Sequence, residues 1–312
     1  MSSSAVNQSN RTPIYIALGL GILLVLGTLV GARVMMDRSS HEPVGMSAID
    51  APEADSAACK NFVEALPKKV NGHQRAPIAA PVPPGAAAYA KSSDDRVTVR
   101  CGVHTPFQLT DLAQTQESGG AQWLKLNDAT EGSTLATWYA VDRSPVVAVT
   151  LEKESTPGDD LADALGKIDG PAPKRNPVPL TNLQSTAAVD KCRPFMDALP
   201  EHLGSVYERN RGVKLPQATA AWTAEGHDPV VVRCGVGDPA GYRAGERLQQ
   251  VNDIPWFADT QVAEGTTVGT YYPMGRAANV AVSMPSNEGN AVLVDLTQTV
   301  SANLPPAPGK GK

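Results

Sequence analysis

The chain has 312 residues, 42 % of them hydrophobic and 19 % charged, and its 27 basic and 32 acidic residues leave a net charge of −5. That length predicts about two domains with apolar content for real cores, and the acidic balance excludes a sequence-independent nucleic-acid binder, which needs an excess of Lys and Arg to neutralise phosphate. Gly (27) and Pro (26) are raised without any collagen period, and coiled coil and wholesale disorder are excluded by the same composition.

Residues 1–12 read as a short cytoplasmic tail and 13–36 as a transmembrane anchor. From Ile14 to Ala32 run 19 consecutive uncharged residues, bounded by Arg11 and Arg33. As a helix they span about 28 Å, close to the ~30 Å of a bilayer core. The run exceeds the apolar core of a usual signal peptide, which favours an uncleaved anchor. The small residues Val30-Gly31-Ala32 keep an alternative open: cleavage near Ala32 and a secreted protein. Gly27 and Gly31 form a GxxxG, a helix-packing face in some membrane spans. Arg11 before the span is outnumbered by Arg33 and Arg38 after it, but long domains translocate largely regardless of such charges. Residues 37–54, polar with scattered prolines, read as a linker from membrane to first domain.

The first domain, 55–170, opens on a helix between Asp55 and Val70, with Ala58, Cys59, Phe62 and Leu66 on one face. Val97, Val99, Cys101 and Val103 then alternate with Thr98, Arg100 and Gly102, the pattern of a half-buried strand with its cysteine inward and Arg100 outward. Gln122 to Leu126, Thr134 to Val141 and Pro145 to Leu151 are further strands, and a helix from Pro157-Gly158-Asp159 to Ile168 closes the unit. A Pro-rich linker covers 171–187. The second domain, 188–304, repeats the order: Lys191 to Leu203, Val230 to Val236, Val251 to Phe257, Thr267 to Tyr272, Asn279 to Met284 and a closing segment from Asn290. Residues 305–312 read as a disordered tail.

The two units are copies. Cys59-Lys60-Asn61-Phe62-Val63-Glu64-Ala65-Leu66-Pro67 matches Cys192-Arg193-Pro194-Phe195-Met196-Asp197-Ala198-Leu199-Pro200, and Val99 to Val103 recurs as Val232 to Val236. Trp123 corresponds to Trp256, Glu131-Gly132 to Glu264-Gly265 and Arg143 to Arg276, always 133 residues apart. This is a tandem duplication of a whole domain. Each copy holds two cysteines 42 residues apart, so the expected pairing is Cys59–Cys101 and Cys192–Cys234 in an oxidising compartment, with the bulk of the chain outside the cytoplasm. Catalytic dithiols are usually Cys-x-x-Cys, which these are not. The fold class is α+β: a transmembrane helix, then two repeats, each a small, mostly antiparallel sheet with flanking helices and one disulfide.

The run Cys…Ala-Leu-Pro, then Pro229-Val230-Val231-Val232-Arg233-Cys234-Gly235-Val236, then Trp256 in Val251-Asn252-Asp253-Ile254-Pro255-Trp256-Phe257, resembles the actinobacterial membrane-anchored domain-of-unknown-function family number 3515. The second copy, Lys191 to about Leu304, matches closely. The first, Ala58 to about Ile168, is more divergent, with Tyr89 in place of Trp222. The resemblance implies a single-span protein of the cell envelope and carries no activity with it.

Catalytic signatures are missing from the sequence. Gly-x-Ser-x-Gly, Ser-x-x-Lys, His-Glu-x-x-His, phosphate-binding Gly loops and EF-hand loops are absent. His41, His73, His104, His202 and His227 lack ligand spacing and read as solvated loop residues, so no metal and no cofactor is expected. Asp94-Asp95 reads as a loop and Asp159-Asp160 as a helix start. One constellation stands out as a candidate binding site: Thr137-Trp138-Tyr139 with Arg143, echoed by Thr270-Tyr271-Tyr272 with Arg276, with Arg100 and Arg233 as outward basic positions beside the cysteines. Aromatic faces and guanidinium groups can hold a glycan, a lipid headgroup or a carboxylate. The alternative is that one aromatic of each pair packs in the core and the arginines pair with surface acids. The functional expectation is a non-catalytic extracytoplasmic module that binds an envelope protein or a cell-wall component, not nucleic acid. The alternative is an envelope-metabolism enzyme with an unfamiliar site, whose mark would be His, Asp or Ser clustered in one cleft.

Overall fold

The structure is a computed structural model and describes residues 12–39, 43–259 and 267–307. The tail before residue 12, His41, the Glu264-Gly265 correspondence and residues 308–312 lie outside the described residues. Helix α1 (Thr12–Ser39) contains the apolar run, and the 19 residues from Tyr15 to Arg33 are long and apolar enough to cross a membrane. Gly27 and Gly31 have open space beside them.

The first repeat starts at α2 (Ala57–Ala65), where the Ser56 hydroxyl accepts from the Cys59 N–H and caps the helix. Cys59 and Phe62 are its buried residues. The helix stops well short of Val70, because Pro67 follows it and β1 (Lys69–Val70) begins at once. The remaining strands are β2 (His73–Ala76), β3 (Ala86–Ala90), β4 (Arg96–Val103), β5 (Thr115–Ser118), β6 (Ala121–Asn127), β7 (Leu135–Ala140) and β8 (Val146–Glu152), and α3 (Ala162–Leu165) closes the unit. They form one sheet in the order β1-β2-β3-β4-β8-β7-β6-β5, every pair antiparallel.

The second repeat follows the same plan: α4 (Arg193–Asp197), β9 (His202–Leu203), β10 (Tyr207–Asn210), β11 (Thr219–Thr223), β12 (Val230–Cys234), β13 (Gln249–Val251), β14 (Ile254–Asp259), β15 (Val268–Pro273), β16 (Val280–Pro285) and α5 (Gly289–Asn303). Its sheet order, β9-β10-β11-β12-β16-β15-β14-β13, has the same topology. The class is α+β, but each sheet has eight strands and is not small. The short strands β1, β2, β9 and β10, the alanine-rich β3 and the polar β5 carry too little β-branched or aromatic signal to announce themselves.

In each repeat one sheet face packs against the helices. Cys59 joins Cys101 across Cα atoms 5.5 Å apart, and Cys192 joins Cys234 across 5.9 Å, each stapling helix to strand within its own repeat. Trp123 and Trp138 lie in the first core, Trp222 and Trp256 in the second, all at most 1 % exposed. Small contacts recur with the same spacing as the sequence. Glu53 N–H donates to the Gly102 carbonyl as Thr186 N–H does to Gly235. Tyr89 Oη donates to the Pro67 carbonyl as Trp222 Nε1 does to Pro200.

The segments read as linkers are docked. Val44 is buried and bridges Ile78, and Val178 and Leu180 are buried on the second sheet. The repeats also touch each other. Asn127 N–H donates to the Gly226 carbonyl over 2.8 Å, Lys125 pairs with Glu225 at 3.1 Å, and Leu112 of the first repeat packs into the cluster around Val178 and Phe257. Pro306 bridges Arg276, which pins the start of the stretch read as a tail.

Candidate functional site

Strand alternation separates the aromatic pairs. Trp138 and Tyr271 point into the two cores, while their neighbours Tyr139 and Tyr272 lie on the opposite sheet faces. Arg143 and Arg276 are internal braces. Arg143 donates to the Leu165 and Gly120 carbonyls and pairs with Asp142; Arg276 donates to the Leu304 carbonyl and reaches Asp253. Arg233, expected to face outward, is only 5 % exposed. The docked segment 178–185 covers it, and its guanidinium donates to the carbonyls of Leu180 and Thr181 and to the Ser185 hydroxyl. His73 also departs from the loop reading: it sits buried on β2, bonded to the Asp95 carboxylate.

Arg100 and Tyr139 are brought together. The outer face of the first sheet carries two rows across four neighbouring strands. Register places Arg100, Ala148, Tyr139 and Leu124 in one row, and Thr98, Thr150, Thr137 and Leu126 in the next. Over these rows runs a trough. Its first half, about 660 Å³, lies among Arg100, Ala148, Tyr139, Thr150, the loop from His104 to Gln108, and Ile49. Its second half shares Gln108, Leu126, Thr137, Tyr139 and Thr150, and ends at Asp128 and at Asp228 of the second repeat.

The ends of the trough differ in charge. At the β4 end, Arg100 donates to the Ser47 carbonyl at 2.7 Å, and His104 bonds the exposed Asp50 at 2.9 Å. At the other end, the Thr130 N–H holds the Asp128 carboxyl below its usual range, assisted by the Thr130 and Ser133 hydroxyls. Burial raises Asp228, against a hydrogen bond from the Gln108 side chain. Midway, the Thr137 and Thr150 hydroxyls bond each other at 2.9 Å, and burial raises the Tyr139 phenol. Ile49 and Phe107, 50 % and 49 % exposed, stand at the rim.

The second repeat presents the same face filled. Arg233, Ala281, Tyr272 and Phe257 occupy the positions of Arg100, Ala148, Tyr139 and Leu124. Val178, Leu180, Leu183, Val213, Leu215 and Tyr242 pack over them. In the first repeat Gly45, Ser47 and Asp50 stand where Val178, Leu180 and Leu183 stand in the second, so the covering segment follows the same path without its apolar side chains. Alternation at Thr137-Trp138-Tyr139 could have separated floor from core in the sequence. Asp228 could not be found there, because only the packing of one repeat on the other brings it to the trough, and Gln108 reaches it from a loop without periodicity.

Among the described residues no three His, Cys, Asp or Glu side chains converge as a metal site requires. The model of a family described as Protein of unknown function (DUF3515) matches residues 18–173 and again residues 164–309. No curated protein and no solved structure matches the chain.

Proposed function

The chain belongs to the family of proteins of unknown function DUF3515, which it matches twice over, and from that premise we propose that it is a membrane-anchored, extracytoplasmic, non-catalytic binding module of the cell envelope. The observation that carries the binding role is the unequal fate of one face: plugged by the chain itself in the second repeat, open as a trough in the first. The 19-residue apolar stretch of helix α1 and one disulfide per repeat support the location, since disulfides persist in oxidising compartments. Binding fits the trough better than catalysis, because its central hydroxyls, Thr137 and Thr150, are bonded to each other and not to a base.

Two experiments test this reading. A cysteine introduced at Val206, which is exposed on the second repeat, should react with a membrane-impermeant maleimide on intact cells and be recovered in the membrane fraction; reaction only after lysis places the domains inside and defeats it. A mature N-terminus at Arg33 would establish the secreted alternative. A photo-crosslinking side chain at Phe107 should capture an envelope neighbour that the same group at Val206, exposed on the second repeat, does not.

A further inference from the structure

Resting on the binding role proposed above, we infer that the trough of the first repeat takes an extended peptide of about four residues, its carboxylate on Arg100 and its amine at Asp128 and Asp228.

Three observations lead there. The first is the chain's own precedent. On the equivalent face of the second repeat lies the chain's own segment 178–185, which turns at Leu180 and sets Val178, Leu180 and Leu183 against the sheet and the carbonyls of Leu180 and Thr181 on Arg233, so this face accepts polypeptide, and the extended form of the occupant follows from the length below. The two faces descend from one ancestor and share the Arg–Ala–Tyr row. In the first repeat the covering segment is reduced to Gly45, Ser47 and Asp50 at those positions, so the apolar contacts it would make are missing. Ile49 and Phe107 stand exposed beside the gap.

The second observation is length. The floor crosses β4, β8, β7 and β6, three inter-strand steps of ~4.8 Å or about 14 Å in all, which about four extended residues at ~3.4 Å each would span. Tyr139, Ala148 and Leu126 give that peptide an apolar floor.

The third is polarity. A guanidinium has five N–H donors, and Ser47 takes one of the bonds Arg100 can make. The remaining edge suits a carboxylate. Asp50, the acid nearest that end, is engaged by His104. The far end offers Asp128 and Asp228, and among the described residues its half of the trough is lined by no Lys or Arg. A ligand with opposite charges at its two ends fits in one direction only.

The test uses the full chain in lipid nanodiscs and the tetrapeptide Val-Pro-Leu-Thr, copied from residues 178–181, with both termini free, with a C-terminal amide, and with an acetylated N-terminus. Equilibrium dialysis should show saturable binding of the free peptide at one site per chain. Amidation and acetylation should each weaken it about tenfold, the loss expected for one charge-assisted hydrogen bond. Arg100→Gln should bring the free peptide down to the affinity of the amide and leave the amide's own affinity unchanged; Asp228→Asn should erase part of the penalty of acetylation. Thr150→Phe, which fills the trough without touching either charged end, should abolish binding of all three, and it decides the matter if Arg100→Gln fails to fold. Equal binding of the three peptides, or no saturable binding into the millimolar range, overturns the assignment. A chain that is outward and membrane-bound by cysteine labelling yet silent to every peptide overturns this inference alone.

Discussion

The indole N–H of Trp256 donates to the Thr297 hydroxyl over 2.9 Å, and both side chains are fully buried. Thr297→Val keeps the shape and strands the donor, so it should cost about 1–3 kcal/mol by denaturant unfolding. Asp95 and Asp228 occupy the same position in the two repeats, and their environments push them in opposite directions. The hydrogen bond from His73 holds Asp95 below its ordinary value, with Lys91 assisting. Its contribution to stability is present above the unfolded-state value near ~3.9 and is lost as pH falls through the folded-state value. Asp95→Asn should therefore lower the melting temperature at pH 7, with the difference vanishing in acid. Burial raises Asp228, so its contribution is complete below the unfolded-state value and is lost as pH rises through the folded-state value. Asp228→Asn keeps an acceptor for Gln108 and should raise the melting temperature at pH 7 and leave it unchanged near pH 3. The sequence aligns these two aspartates. It does not reveal their partners, because His73 opens the short strand β2, which carries no alternation of its own, and Gln108 comes from a loop that follows no periodicity.

At the scale of elements, what was legible followed hydrophobic alternation. The strands around Cys101, Trp123, Cys234 and Trp256 are where alternation and the repeat place them, and the cysteine spacing identified both staples. Each closes a loop of 42 residues. Replacing Cys192 and Cys234 by alanine should cost about 4 kcal/mol in the chain-entropy model, read as a fall in the second repeat's transition on calorimetry. The recurring Cys-Gly hides a stricter demand. Gly102 has φ +81°, and a Cβ there would lie 2.3 Å from the backbone of Glu53 and Ala54. Gly102→Ala should destabilise by roughly 2–4 kcal/mol, combining left-handed strain with overpacking. Gly235, against Val189, carries the same constraint. The closing segments were harder to read: Pro157 to Ile168 yields only a single turn of α-helix in α3, while α5 runs for 15 residues.

For the molecule as a whole, duplication was visible in the sequence and the joining of its halves was not. The linker's Val178 and Leu180 sit in the second repeat's outer cluster, and Leu112 reaches that cluster from the first. Leu112→Ala should therefore lower the unfolding transition of the second repeat, by the 2–5 kcal/mol typical of a buried leucine, although the residue belongs to the first. Calorimetry of the full chain checks this, and a shift confined to the first repeat's transition would contradict it.

The docking of the tether has a consequence for where such a protein can act. Helix α1 ends at Ser39, and by Val44 the chain is already bonded to Pro77 and Ala79. Five residue steps separate the two, a reach of at most ~18 Å even fully stretched. On the anchored reading, the first repeat is a short-leashed probe that searches a thin layer along the bilayer in two dimensions. Its encounters would be set by how many partners share that layer, as an effective surface concentration, and not by their abundance in the surrounding fluid.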